Sequence, residues 1–349
     1  MEFKNLLSIY NEAPKIGLKA IGNTSYLNTI LQCLANNYEL ANYFLDQKEQ
    51  SFIKNKVKEM PLSFVISRLF FHLYPDPQKG DKKPYGTEKI LSVMGLSNAI
   101  YNCTSKRNIN DAIIFILNKI HEELNSKKDD YQNLDIDIFN SNSVVENEII
   151  KFTNTNESII SNLFTFFEKK ENHCSLCNKT KYELLHFNTF DLDILKCSKK
   201  CGNIKISIYD CFNLLSSPKS KKFYCINCKR QTQINAITRI YSSPNMFIFL
   251  LEREDDIYSL SIEFIIEKKI NLKDYIECKN TPLMFELVSI ISIDLKEKKY
   301  VAFSKSQIDN KWYLYSDENV QFIEDDSVLQ NNNNINLYIP CMLFYKSSQ

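Results

Sequence analysis

The sequence predicts an α+β fold, with a helical lobe over about the first 125 residues and a mostly antiparallel β lobe after it. Three observations carry this. Apolar residues in the first part recur at three- and four-residue steps. Beyond about residue 155 they gather instead into short β-branched and aromatic runs. Two C-x-x-C pairs stand inside that second part, where a metal ion can join distant loops.

The helices come first. Leu27, Ile30, Leu31 and Leu34 make one buried stripe. Thr24 and Ser25 stand ahead of it as N-caps, their hydroxyls able to accept from free helix N–H groups. Leu62 to Tyr74 is a second apolar helix. A third is the clearest: Ile113, Ile116, Leu117, Ile120 and Leu124 keep the helical step, with Asp111 near the start. Residues from about 125 to 155 are rich in Asn, Asp and Ser with little periodicity, which predicts an exposed connection. Strands are then expected at Leu184–Ile194, Ala236–Tyr241, Met246–Glu252, Ser261–Ile266, Phe285–Ile293, Tyr300–Ser304, Trp312–Tyr315 and Leu337–Tyr345. Asn331–Asn334 reads as a low-complexity loop.

Composition bounds the function. With 44% hydrophobic and 12% aromatic residues, the 349-residue chain has ample material for a core, which excludes a disordered chain. The 43 basic and 42 acidic side chains leave a formal net charge of +1. No strong global field is available for nucleic acid or anionic membrane, and neither is expected as a partner. The most apolar run, Met246–Leu251, is far short of the roughly 20 residues a membrane span needs. Met1-Glu-Phe-Lys-Asn lacks the layout of a signal peptide. The eleven cysteines are odd in number and partly clustered. An intracellular protein, cytoplasmic or nuclear, is expected.

Cys174-Ser-Leu-Cys177 and Cys225-Ile-Asn-Cys228 are two knuckles, each able to offer two thiolates to a tetrahedral Zn²⁺. The 47 residues between them exceed the spacing of compact zinc ribbons and leave room for a β-hairpin extending away. Cys197 and Cys201 lie in that gap as competing ligands. Unligated thiols and a redox dithiol are the rival readings, the latter disfavoured because nothing thioredoxin-like surrounds either pair. Cys33, Cys103, Cys211, Cys278 and Cys341 read as core or surface thiols.

Gly17-Leu-Lys-Ala-Ile-Gly-Asn-Thr-Ser-Tyr-Leu-Asn-Thr-Ile-Leu-Gln-Cys-Leu34 resembles the N-terminal signature box of the ubiquitin-specific proteases, the papain-like deubiquitinases. Further boxes follow in order. Asn110-Asp-Ala-Ile-Ile-Phe115 is similar to Q-D-A-x-E-F, and Ser158 to Glu168 to the strand leading into the family's fingers. Pro244-Asn-Met-Phe-Ile-Phe-Leu-Leu-Glu-Arg253 is similar to P-x-x-L-I-I-H-L-K-R. Phe285-Glu-Leu, Tyr300-Val-Ala-Phe, Trp312-Tyr-Leu-Tyr and Met342-Leu-Phe-Tyr345 match its palm strands. The resemblance covers about residues 15–346, behind an N-terminal extension of residues 1–14. It implies a single papain-like domain with a helical thumb (about 15–160), zinc-bearing β fingers (about 161–243) and a β palm (about 244–346). It also implies structural zinc on Cys174, Cys177, Cys225 and Cys228. The expected partner is ubiquitin or a ubiquitin-like protein, or a larger complex.

Such an enzyme needs a thiolate at a helix N-terminus, an imidazole base, an acid to orient it and an oxyanion donor. By the same boxes, Ser25 stands at the nucleophile position, Lys299 at the base and Ser316 at the acid, with Asp317 just after it. Ala20 replaces the oxyanion Asn. The four histidines are His72, His121, His173 and His186, so none follows residue 186. The resemblance therefore implies a degenerate family member that binds rather than cleaves. An active hydrolase using a Ser25/Lys299 dyad is the alternative, and it requires Lys299 to lose its charge. The glycines usually found before the family's base are replaced by Glu297 and Lys298, which narrows the groove for a Gly-Gly tail.

Overall fold

A computed structural model describes residues 13–74, 83–102, 104–127, 137–253, 257–325, 327–328 and 337–348. The stripe behind Thr24 forms α1 (Ser25–Ala35), whose residues from Tyr26 onward are buried on every side. A helix hidden all round belongs at the centre of a domain. In its layer stand α2 (Tyr38–Leu45), α3 (Gln47–Asn55), α4 (Pro61–Leu73), α5 (Glu88–Ser97), α6 (Ile109–Leu124) and α8 (Ile159–Phe164), while α7 (Ser141–Thr155) packs apart from it. The first turn of α4 has no capping side chain of its own. Instead the buried Glu123 of α6 accepts from the amides of Leu62 (3.1 Å) and Ser63 (2.7 Å) and from the Ser63 hydroxyl (2.7 Å). A carboxylate at a helix N-terminus satisfies its free donors and opposes its dipole, which here also fixes how the two helices sit.

The second part builds two main sheets. Its strands are β1 (Phe166–Cys174), β2 (Thr180–Phe187), β3 (Phe190–Leu192), β4 (Lys205–Ser207), β5 (Lys219–Cys225), β6 (Arg230–Ser242), β7 (Met246–Leu251), β8 (Glu263–Ile265), β9 (Lys269–Asn271), β10 (Met284–Asp294), β11 (Lys299–Lys305), β12 (Trp312–Ser316), β13 (Asn319–Ile323) and β14 (Tyr338–Ser347). The larger sheet runs β13-β12-β11-β10-β14-β7-β3, with β9 on β10, and is antiparallel except where β3 meets β7. The smaller runs β2-β1-β6-β5, and β4 pairs in parallel with β8. Three short helices are interleaved: α9 (Ile194–Cys201), α10 (Ile208–Ser216) and α11 (Ile257–Ser261).

Strand alternation divides the core. Met246, Ile248 and Leu250 of β7 point into the helical layer, while Phe247, Phe249 and Leu251 point into a second core with α9, α10 and the far side of the sheet. Both faces of the larger sheet are thus covered, which is why β7 is apolar at every position.

The α+β reading holds, with local corrections. The expected exposed connection contains α7. Its stripe is narrow, only Val144, Val145 and Asn147 being buried, and it closes only when Leu184 of β2 covers it. The single strand expected over Leu184–Ile194 is two, broken at Asn188 and Thr189. Ser158 leads first into α8, capping it through Ser161, and the strand starts at Phe166. The gap between the knuckles holds α9 and α10, not a simple hairpin. Asn331–Asn334 and Cys103 lie outside the described residues. Among those described, no helix is long and apolar enough to cross a membrane.

Candidate functional site

The loop before α1 is pinned to the β12–β13 turn. A Cβ on Gly17 would lie 2.2 Å from the Glu318 carbonyl oxygen, so only glycine lets the chains pass, and the Leu18 amide donates to Asp317 O at 2.8 Å. This holds the start of α1 against the edge of the larger sheet. Neither predicted cap acts as one. The Thr24 hydroxyl takes the Ile21 amide at 3.4 Å, and Ser25 Oγ accepts from the Tyr300 amide of β11 at 3.2 Å. The Ser25 hydroxyl therefore ties helix to sheet. Ala20 is exposed in the same loop, and its methyl has nothing to donate.

β11 begins at Lys299, beside Ser25's partner Tyr300. Its ammonium pairs with Glu297 at 2.8 Å and Asp317 at 3.3 Å. Partial burial works to lower its pKa, but the hydrogen bonds and charges of Glu297 and Asp317 outweigh this and raise it above the ordinary lysine range. A lysine held charged cannot take a proton from a hydroxyl. Among the described residues no hydrogen bond joins Ser25 to Lys299. Asp317, in a left-handed turn (φ 52°), also accepts from Nδ2 of the buried Asn28 at 2.8 Å. The Asn28 amide also donates to Lys19 O at 3.1 Å. Ser316 ends β12, opposite Asn319. The histidines are engaged elsewhere: His72 with Lys83 O, His121 with Ser158 and Asn156, His173 with Thr180, and His186 against Phe152 and Phe167.

A cleft of about 620 Å³ opens between the start of α6 and the β3–α9 region. Asp111 stands on one wall and Asp191, Asp193 and Glu252 on the other, with Lys196 and Lys199 of α9 also lining it and Lys196 3.9 Å from Asp193. Burial raises the Asp191 carboxyl, and burial followed by the charges of Asp191 and Asp193 raises that of Glu252. Arg253 does little to neutralise them. Its Nε donates to Pro340 O (2.9 Å), and Nη1 to Ser259 O (2.8 Å) and Ile262 O (3.0 Å). The cleft is therefore of mixed charge, its acids partly answered by Lys196 and Lys199 and its arginine turned inward. Sequence reading placed Asp111 in a box but missed the other three acids, which come from separate segments.

At the far tip of the smaller sheet, β1 ends in Cys174 and β5 in Cys225. Each knuckle is followed by a residue in the left-handed region, Asn178 (φ 57°) and Lys229 (φ 52°), which turns the chain sharply back. The four sulfurs lie within 4.8 Å of one another, with Cys174 to Cys228 and Cys177 to Cys225 both at 3.8 Å. A tetrahedron with metal–sulfur bonds of about 2.3 Å has edges of about 3.8 Å, so the cage fits a metal of that size. The Thr232 hydroxyl, 3.3 Å from Cys174 Sγ, is the main cause pulling that thiol down to about 6. Cys197 and Cys201, on α9, do not join the group, and burial pushes the Cys197 thiol up to about 12.

Comparison with known proteins agrees with this architecture. The family model described as "Ubiquitin carboxyl-terminal hydrolase" matches residues 16–345. Ubiquitin carboxyl-terminal hydrolase 4 of Saccharomyces cerevisiae (strain RM11-1a) is 26% identical over 271 residues, covering 72% of this chain and 28% of that protein. Ubiquitin carboxyl-terminal hydrolase 17-like protein B of Mus musculus is 21% identical, covering 94% of this chain and 64% of its own length. The chain thus spans well under a third of the yeast relative. Among solved structures, the SAGA Ubp8/Sgf11/Sus1/Sgf73 DUB module bound to ubiquitin aldehyde contains a chain that superposes with a TM-score of 0.70 at 19% identity. That match covers 98% of this chain and 71% of the other. With a match across nearly its whole length, the chain belongs to the ubiquitin carboxyl-terminal hydrolase family.

Proposed function

We propose that this chain is a pseudo-deubiquitinase, which keeps the family's fold to bind ubiquitin or a ubiquitin-like protein and has lost the hydrolysis. The observation that carries this is the Lys299–Asp317 ion pair. At the position where the family places its base stands a cation that two carboxylates hold protonated. The nucleophile position carries a hydroxyl already engaged by a backbone amide. Losing one oxyanion donor alone costs about 10²–10³ in rate, and general acid–base catalysis is worth about 10²–10⁴ more. What remains is binding.

Cys174, Cys177, Cys225 and Cys228 would hold Zn²⁺ as a structural staple, fixing the tip of the smaller sheet. In the division proposed here the smaller sheet forms the fingers (about 161–243), the helical layer the thumb and the larger sheet the palm. Since Ubp8 is seen within a four-protein module, membership of a larger assembly is part of the proposal. The rival Ser25/Lys299 hydrolase needs a neutral lysine, which the two carboxylates oppose. Two measurements on the zinc-loaded chain test the reading: hydrolysis of a fluorogenic ubiquitin-tail substrate, and titration with mono- and poly-ubiquitin. Binding without turnover is expected. Turnover abolished by Ser25→Ala overturns the reading, and so does absence of any ubiquitin binding.

A further inference from the structure

The charge of this chain is unevenly placed. Residues 166–239 carry fourteen Lys or Arg against six acidic side chains, in a chain whose total is +1. Much of the excess meets at one edge of the smaller sheet. β5 reads Lys219-Ser-Lys-Lys-Phe-Tyr-Cys225, with residues 219–222 and Tyr224 exposed. Side chains alternate across a strand, so Lys219 and Lys221 look to one face and Lys222 and Tyr224 to the other. The Lys221 ammonium sits 5.5 Å from the centre of the Phe223 ring, as residues two apart on one face should. The end of α9 adds to the patch: Lys200 Nζ donates to Ser217 Oγ at 2.9 Å, just before β5 begins. Burial, then the charges of Lys196 and Lys200, pulls the Lys219 amine below the ordinary lysine range. These cations crowd one another more than acids relieve them.

The two edges of this sheet are treated differently. On β2 the Tyr182 amide is met by Ile138 O at 2.9 Å, so the chain covers that edge itself. On β5, among the described residues, no backbone hydrogen bond arrives from the outer side. Alternate residues of an edge strand turn their N–H and C=O groups outward, ready to pair with another strand. Lysines on an edge strand are a common guard against self-pairing. Here three on the strand are joined by the α9 lysines, on both faces. That pattern repels a second copy while attracting an oppositely charged strand.

We infer that the outer edge of β5, with Lys219, Lys221, Lys222 and Lys200, is a docking site for an extended acidic segment of a partner protein, which would add to the sheet as a fifth strand. Backbone pairing supplies geometry, and acidic side chains at alternate positions meet the lysines on each face. A phosphate can accept from the outward N–H groups but has no donor for the C=O groups between them, which favours a peptide strand over a nucleic acid.

The test uses the full zinc-loaded chain and a fluorescein-labelled peptide alternating Glu and Val, followed by anisotropy. Two competitors are run beside it: the same peptide N-methylated at alternate residues, and an oligothymidine of equal charge. The alternating peptide should bind and protect β5 amides from hydrogen exchange. N-methylation should weaken it by about tenfold, as should Lys219→Glu combined with Lys221→Glu. Lys219→Gln with Lys221→Gln gives an intermediate loss and guards against misfolding, with an unchanged urea midpoint as the check. The inference is overturned if the alternating peptide does not bind. Equal binding of the N-methylated peptide, tighter binding of the oligonucleotide, or indifference to both lysine variants overturns it as well.

Discussion

Replacing Asp317 by Asn tests whether the charge knot behind Ser25 holds as described. Asn keeps the side chain's shape and tolerates the left-handed φ of 52°. It removes the charge and leaves one acceptor oxygen, which Asn28 can keep, with an NH₂ in place of the oxygen facing Lys299. The side chain is 10% exposed, which leaves its interactions only partly screened. Its bond from Asn28, at 2.8 Å, changes from charge-assisted to neutral, a loss of about 1 kcal/mol. The pair with Lys299, at 3.3 Å between groups 25% and 10% exposed, contributes about 0.5–1 kcal/mol more. Lys299 keeps Glu297, so no cation is stranded. Together the expected cost is about 2 kcal/mol. Urea unfolding of the zinc-loaded protein reads this as a lower midpoint at unchanged slope. A double-mutant cycle with Lys299→Met should return a coupling of about 0.5–1 kcal/mol. If Asp317→Asn changes stability by less than about 0.3 kcal/mol and the cycle shows no coupling, Asp317 does not hold Lys299. The reason for denying that lysine the role of a base then falls with it.

Three further outcomes are expected. Chelating the metal from the Cys174, Cys177, Cys225 and Cys228 cage should lower the melting temperature by about 5 °C or more, and one equivalent of Zn²⁺ should restore it. Because the Asp191 and Glu252 carboxyls are raised, they protonate above the usual carboxylate range as pH falls. Any contribution of these two carboxylates to holding a cationic group against the lysines of that cleft should therefore be full at neutral pH and decline in mild acid, read as the pH dependence of a lysine-rich peptide's affinity. A binding curve flat to about pH 4.5 would contradict this. Lys298, exposed in the turn before β11, has φ 54°. Lys298→Gly should relieve that strain and raise stability by about 0.5–1 kcal/mol, seen as a higher urea midpoint.

What the sequence revealed depended on how local each pattern is. α6 was legible because Ile113, Ile116, Leu117, Ile120 and Leu124 form a complete stripe on one helix. α7 was not, since it offers only Val144, Val145 and the half-buried Ile149 to that small core, and the other members come from β1, β2 and β6. The knuckles were legible as pairs, and their meeting across 47 residues followed from thiolate chemistry. Ser25 and Lys299 could be located because each sits inside a contiguous box. The cleft beside α6 could not, because Asp111, Asp191 and Glu252 belong to three segments that only the fold brings together. Thr24 misled for a similar reason. Its hydroxyl had a nearer amide, at Ile21, to satisfy.

The pinning of residues 17 and 18 to the β12–β13 turn, and of Ser25 to Tyr300, has a consequence for biosynthesis. The central helix leaves the ribosome well ahead of the strand it rests on, which is made some 275 residues later. Until then the side of it that meets the sheet stays exposed, so the domain closes late and in a long-range step. Loss of the last few strands should therefore cost far more than those strands, leaving the nascent helical half as a substrate for chaperones.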